Sequence, residues 1–213
     1  MVLTAILLGI ALAGYLALDR PASAVSPIGG VALYLPLLAA EWGLFAYVRM
    51  GMRRRGVAIG ELISARPLTP RTVTIDLLLG LLLFGLWLGV EYLLGNLSGA
   101  APSPAVQRLL VRNAADVPLW VLLALSAGFV EELVFRGYLQ RQFAALLGNP
   151  WPAVAAQAAI FGVTHGYQGA LPVLRICVFG LIFGLAALGR RSLIPGMIAH
   201  AAVDIAGGLA ALR

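Results

Sequence analysis

From Pro118 to Val130 the sequence carries no ionisable side chain, and then two acids, Glu131 and Glu132, follow directly, with Arg136 four positions further on. Beyond Gly148 and Pro150 the chain turns apolar again. A charge at the centre of a membrane-length helix costs roughly 2.5–3.5 kcal/mol on insertion scales, so such a charge needs a partner or a purpose. Glu132 and Arg136 are spaced i,i+4, which stacks them on one helix face as a pair. Glu131 then points elsewhere, without a counter-ion on its own helix. An intramembrane carboxylate beside a neighbour that supplies its own counter-charge is a candidate functional group.

The helix is taken to lie in lipid because the rest of the chain leaves no alternative. The 213 residues are 61% hydrophobic and 11% charged, whereas soluble domains carry about 25% charge. No core of this length hides so much apolar surface from water. The expected fold is all-α, a polytopic transmembrane bundle of about seven spans, possibly eight. All 15 basic residues are arginines lying between apolar runs, and the net charge is +6. That placement reads as membrane topology and excludes a nucleic-acid partner. The single Cys177 excludes an internal disulfide and reads as a small apolar packing residue.

Taken in order, 1–18 is a first span; without a positively charged start it reads as retained, despite the small residues Ala22-Ser23-Ala24. Residues 19–27 form a turn and 28–48 a second span containing Glu41. The segment 49–71 holds Arg49, Arg53, Arg54, Arg55, Arg66 and Arg71 and is cytoplasmic by the positive-inside rule. Residues 73–94 cross outward, 95–104 break the chain outside, and 105–116 form a short amphipathic helix there. The run 117–147 returns as one long helix, ended by Gly148-Asn149-Pro150. Spans 151–165, 171–188 and 193–212 complete the bundle, with Arg190 and Arg191 marking the cytoplasmic side. Two parts result: residues 1–116, with the arginine-rich loop 49–72, and a motif-bearing core at 117–213. Gly85–Gly89, Gly162–Gly166 and Gly180–Gly184 are spaced for close helix approach.

Chemistry has few places to reside. No P-loop, GxGxxG or HExxH is present, and the only histidines are His165, four after Phe161, and His200, four before Asp204. At about 1.5 Å per residue, Glu131 lies about 20 Å from the outer start of its helix and His200 about 10 Å from the cytoplasmic start of its own. A shared site near the cytoplasmic face follows, with His165 counted somewhat deeper. A desolvated carboxylate beside an imidazole can take a proton from water and return it to a leaving amine, while a second histidine faces the developing oxyanion. No serine or cysteine nucleophile has a base of its own, so attack by activated water is the economical reading. Zinc is the alternative, since glutamate and histidine are legitimate ligands, but the i,i+4 ligand pair on one helix is missing. Glu41 and Glu91 read as isolated acids that reach water or a neighbouring helix.

The segments EELVFRGYLQ, FGVTH and SLIPGMIAHAAVD, spread over Pro118 to Leu212, resemble the EExxxR, FxxxH and HxxxN/D motifs of the CAAX prenyl protease type II and bacteriocin-processing intramembrane protease family. The resemblance implies a membrane-embedded endopeptidase acting on a peptide or protein substrate, without a cofactor. It makes Glu131 the catalytic glutamate, Glu132 and Arg136 its supporting pair, His165 the histidine that shares the water, and Phe161 its packing neighbour. His200 and Asp204 form the remaining catalytic pair. Asp204 stands where asparagine is frequent, and an ionised carboxylate cannot donate to an oxyanion as an amide can, so its expected part is to orient His200. A lysine-free chain of this length fits a bacterial inner membrane protein. A non-catalytic immunity or peptide-binding protein, and a proton or solute transporter, remain open readings of the same polar residues.

Overall fold

The computed structural model describes residues 2–16, 30–98 and 104–212, and within them the protein is a helical bundle. α1 spans Val2–Leu16, α2 Val31–Arg54, α3 Ile59–Ile63, α4 Pro70–Ser98 and α5 Pro104–Leu109. α6 (Val117–Glu131) runs without a break through a π-helical segment, Glu132–Leu139, into α7 (Gln140–Leu147). α8 is Pro150–Thr164, α9 Ala170–Arg190 and α10 Ile194–Leu209. The expected turn at 19–27 lies outside the described residues, as do 99–103 of the break expected at 95–104, whose first residues instead continue α4 to Ser98. Strands are absent among the described residues, apart from one isolated bridge between Ser64 and Ser192.

Among the described residues, three helices are long and apolar enough to cross a membrane: Pro70–Gly95, Ala114–Leu147 and Ala170–Arg190. The 34-residue continuity of the second matches the single long helix expected from sequence. It ends as its residues dictate. Gly148 adopts the left-handed conformation at φ 65°, and Asn149 accepts a hydrogen bond from the Trp151 amide at 3.0 Å, capping α8 ahead of Pro150. Leu77, Leu78, Leu81 and Leu82 of α4 remain exposed, the pattern of a helix whose outer face meets lipid.

The amphipathic helix expected over 105–116 is shorter. α5 stops at Leu109, and the buried Val111 donates its amide to the Gly208 carbonyl at 3.3 Å, near the end of α10. The chain then turns through a 3-10 segment, Ala114–Asp116, whose Asn113 side chain accepts from the Asp116 amide. Side-chain capping by Asn113 competes with helix continuation, which is why the apolar pattern does not extend the helix.

The bundle has two distinct ends. At one, Leu193 donates its amide to the Ile63 carbonyl at 2.8 Å, and Arg141 donates to the carbonyls of Glu61 and Leu62 at 2.9 and 3.0 Å. Buried Asp76 accepts from Arg190 Nε at 2.5 Å and from the Ser192 hydroxyl at 2.9 Å. All the arginines of the 49–71 segment lie towards this end. At the other end, Tyr34 donates to the Leu109 carbonyl at 2.9 Å and Trp120 to the Asp204 carbonyl at 3.1 Å. Close helix approach is carried by Gly162, which abuts Val173 and Cys177, and by Gly180, which abuts Ala158. Gly85 and Gly89 face open space, so that pair does not pack another helix.

Candidate active site

The charged run of the long helix sits where its backbone widens. Glu132–Leu139 is π-helical, a geometry that is rare and concentrates at functional sites. The change comes directly after Glu131, and it separates the two adjacent glutamates into different environments. Glu132 and Arg136 keep 1% and 0% of their side-chain exposure, whereas Glu131 keeps 15%. One acid is locked inside the protein and the other faces a cavity.

Glu132 is the hub of the buried layer. Its Oε1 lies 3.0 Å from Arg136 Nη1 and accepts the Nδ1–H of His200 at 3.1 Å. The Arg136 guanidinium stacks over the Phe161 ring at 4.2 Å, with Phe179 and Phe183 at 5.7 and 5.9 Å. Phe161 also meets Phe135 edge-on at 4.8 Å and His165 at 4.9 Å. Its expected packing role is therefore specific: it supplies the aromatic face against which a desolvated cation rests. α10 reaches this layer because Gly196 lacks a side chain, and a Cβ there would come within 2.8 Å of Glu132 Oε2.

The remaining candidates converge on the wet side. The other nitrogen of His200, Nε2, lies 3.6 Å from Glu131 Oε2 and 3.6 Å from Asp204 Oδ2. Asp204 was expected to hold the ring from behind. That position belongs instead to Glu132, and Asp204 shares with Glu131 the nitrogen that faces the cavity. His165 ends α8, and its Nδ1 is 2.9 Å from the Phe161 carbonyl. A carbonyl oxygen only accepts, so Nδ1 carries the hydrogen and Nε2 keeps a free lone pair.

Glu131, His165, His200 and Asp204 all line one cavity of about 530 Å³. This is the size of a small-ligand or peptide-segment site. Its walls are Leu37 of α2, Trp120 and Leu123 of α6, Leu109 of α5, and Tyr167 of the turn after α8. The lining runs from Glu131 and His200, near mid-helix, to Gln168 and Ala210 at the end opposite the arginines. Counting residues along the helices gave the depth of the groups but not the direction in which the site opens. Among the described residues, no three His, Cys, Asp or Glu side chains are arranged to hold a metal ion.

The motif residues that sequence reasoning singled out are thus brought together, and one further acid joins them. Glu41 of α2 lines the same cavity as Glu131. It was set aside for want of a partner at helical spacing, although an acid inside an apolar span was itself a signal. Glu91 reaches Arg175 of α9 at 3.6 Å, as a pair between helices.

Comparison with known proteins adds one match. Residues 113–206 fit the family model described as type II CAAX prenyl endopeptidase Rce1-like, a stretch that contains every motif residue named above. No curated protein and no solved structure matches the chain. The match ends short of half the chain and leaves α1 to α5 outside it. The segment 113–206, with Glu131, His165 and His200 gathered on one cavity, is similar to the type II CAAX prenyl endopeptidase Rce1-like family.

Proposed function

We propose that the protein is an intramembrane endopeptidase that hydrolyses a peptide bond with a water molecule activated by Glu131 and His165. The observation that carries this reading is the convergence of Glu131, His165 and His200, from three separate helices, on one cavity. A water between the Glu131 carboxylate and His165 Nε2 gives up a proton to Glu131 as its oxygen bonds to the scissile carbonyl carbon. The carbonyl oxygen becomes an oxyanion, and the Nε2–H of His200 is placed to stabilise it. The proton held on Glu131 then passes to the amide nitrogen, the C–N bond breaks, and a carboxylic acid and an amine result. Asp204 faces the same imidazole nitrogen and aligns it. Buried Glu132 fixes the ring from its other side, held in turn by Arg136.

In this reading the chain is a multi-pass protein of the cell membrane, in a bacterium, and its substrate is a leader peptide, a sorting tail or a lipidated terminus. The cavity opens away from the arginine-rich end. With that end cytoplasmic by the positive-inside rule, this reading has substrate enter from the non-cytoplasmic side.

The test is substrate trapping. Membranes carrying Glu131→Gln should accumulate uncleaved precursor peptides that mass spectrometry finds processed in wild type, and identical peptide inventories would sink the assignment. Activity on a trapped precursor should survive 1,10-phenanthroline and EDTA. Stoichiometric zinc whose removal stops cleavage and whose return restores it would make Glu131 and the histidines ligands.

A further inference from the structure

Beyond the layer of Glu132, Arg136 and Phe161, the helices leave a second hollow of about 270 Å³ at the arginine-rich end. Arg136, Gln140 and Arg141 line it from the long helix, and Arg191 and Ser192 from the turn before α10. Its volume is several times the ~30 Å³ that one water occupies, so a single bridging water does not fill it.

The charge on its walls is one-sided: three arginines line it and no carboxylate does. Arg136 is satisfied on one flank only. Its Nη1 pairs with Glu132, whereas Nε and Nη2 are buried without a hydrogen-bond partner. The side chain has 0% exposure, so bulk water does not reach those donors. Gln140, one turn further on, donates Nε2 to the Gly184 carbonyl and leaves its Oε1 buried and unpartnered. The nearby acids are engaged elsewhere: Asp76 with Arg190 and Ser192, and Glu61 with the Ala58 amide. At the mouth, exposed Arg141 is fixed on the carbonyls of Glu61 and Leu62. Exposed Arg191 holds φ 57°, the one positive φ outside glycine among the described residues, and its carbonyl accepts from the Ala65 amide at 3.0 Å. Costly backbone conformations of this kind cluster at ligand clamps.

Buried donors without an acceptor, beside a buried acceptor without a donor, call for one occupant that carries both. A phosphate group bearing or adjoining a hydroxyl does so: its oxygens meet the arginines and its O–H meets Gln140. Guanidinium forks match phosphate oxygens, and basic pockets between transmembrane helices on the cytoplasmic side receive lipid headgroups. We propose that this hollow is a binding site for a hydroxyl-bearing phosphate group, entered past Arg141 and Arg191 and seated against Arg136.

The proposal is independent of the protease reading, and so is its test. The purified full-length chain in neutral detergent is titrated with phosphatidylglycerol, with phosphatidylcholine, and with inorganic phosphate against chloride at equal ionic strength. Occupancy is read by native mass spectrometry and by thermal unfolding. One phosphatidylglycerol should be retained per chain in preference to phosphatidylcholine, which marks the membrane as the source. Protection by inorganic phosphate without lipid retention marks a soluble phosphate ligand instead. Arg191→Gln should weaken whichever binds by about tenfold or more, the scale of one charge-assisted hydrogen bond. Arg54→Gln removes one charge at the same end but outside this hollow, and should leave binding unchanged. Should Arg191→Gln fold poorly, Arg191→Gly removes the same side chain at a left-handed position that glycine accepts. Binding of neither phosphate species, phosphatidylcholine held as tightly as phosphatidylglycerol, or equal losses from the Arg54 and Arg191 variants overturns the proposal.

Discussion

At the scale of single residues, the site works by giving neighbouring acids opposite surroundings. Glu132 is dry and holds Arg136 and His200 with one oxygen, while Glu131 is left to the cavity. Halving a buried pair costs about 3–5 kcal/mol, because the remaining charge is stranded. Glu132→Ala and Arg136→Ala should each lower thermal stability in detergent by that order. The double variant should lose clearly less than the sum, and additive losses would show that the two do not act as partners. Gly196→Ala should also be damaging, by about 1–3 kcal/mol, since the new methyl group presses on Glu132 rather than on a yielding side chain. Wild-type unfolding temperature in that variant would refute the close approach of α10.

At the scale of elements, what could be read from the sequence was whatever the chain encodes locally. The long helix from 117 to 147, its glycine stop and the i,i+4 pair follow from apolar runs, turn residues and spacing, and all are present. The widened turn at Glu132–Leu139 has no such local signature, because its hydrogen-bond pattern is set by packing against other helices. Partners far apart in the chain were equally hidden. Asp76 of α4 has no charged neighbour at helical spacing, yet it clamps Arg190 and Ser192 where α9 passes into α10. Asp76→Ala should therefore destabilise the protein by on the order of 3 kcal/mol, read by thermal unfolding, by leaving Arg190 without its carboxylate. A change below about 0.5 kcal/mol, typical of surface sites, would show the clamp to be incidental. Gln140 and Gln157 act similarly, donating to the carbonyls of Gly184 and Gly180 and fastening α9 to α7 and α8.

At the scale of the whole molecule, the front of the chain completes a site whose motifs all lie at the back. α2 supplies Leu37 and Glu41 to the cavity, and residues from α5 to the turn beyond it wall it on the open side. The direction of opening can be measured with single cysteines in a Cys177→Ala background. Gln168→Cys should react with a membrane-impermeant maleimide added outside intact spheroplasts, and Arg54→Cys only after permeabilisation. The reverse pattern would place the cavity on the cytoplasmic side.

The layer of Glu132, Arg136 and Phe161 closes the cavity on its inner side, and a separate hollow of about 270 Å³ lies beyond it towards the arginines. The cavity of the proposed reaction is thereby walled off from the arginine-rich end. In the proposed reaction the fragments back out through the entrance by which substrate arrives, so spent product and fresh substrate contend for one doorway. Turnover is then governed by traffic at that doorway, and adding the released peptide should slow the enzyme as a competitor of its own precursor.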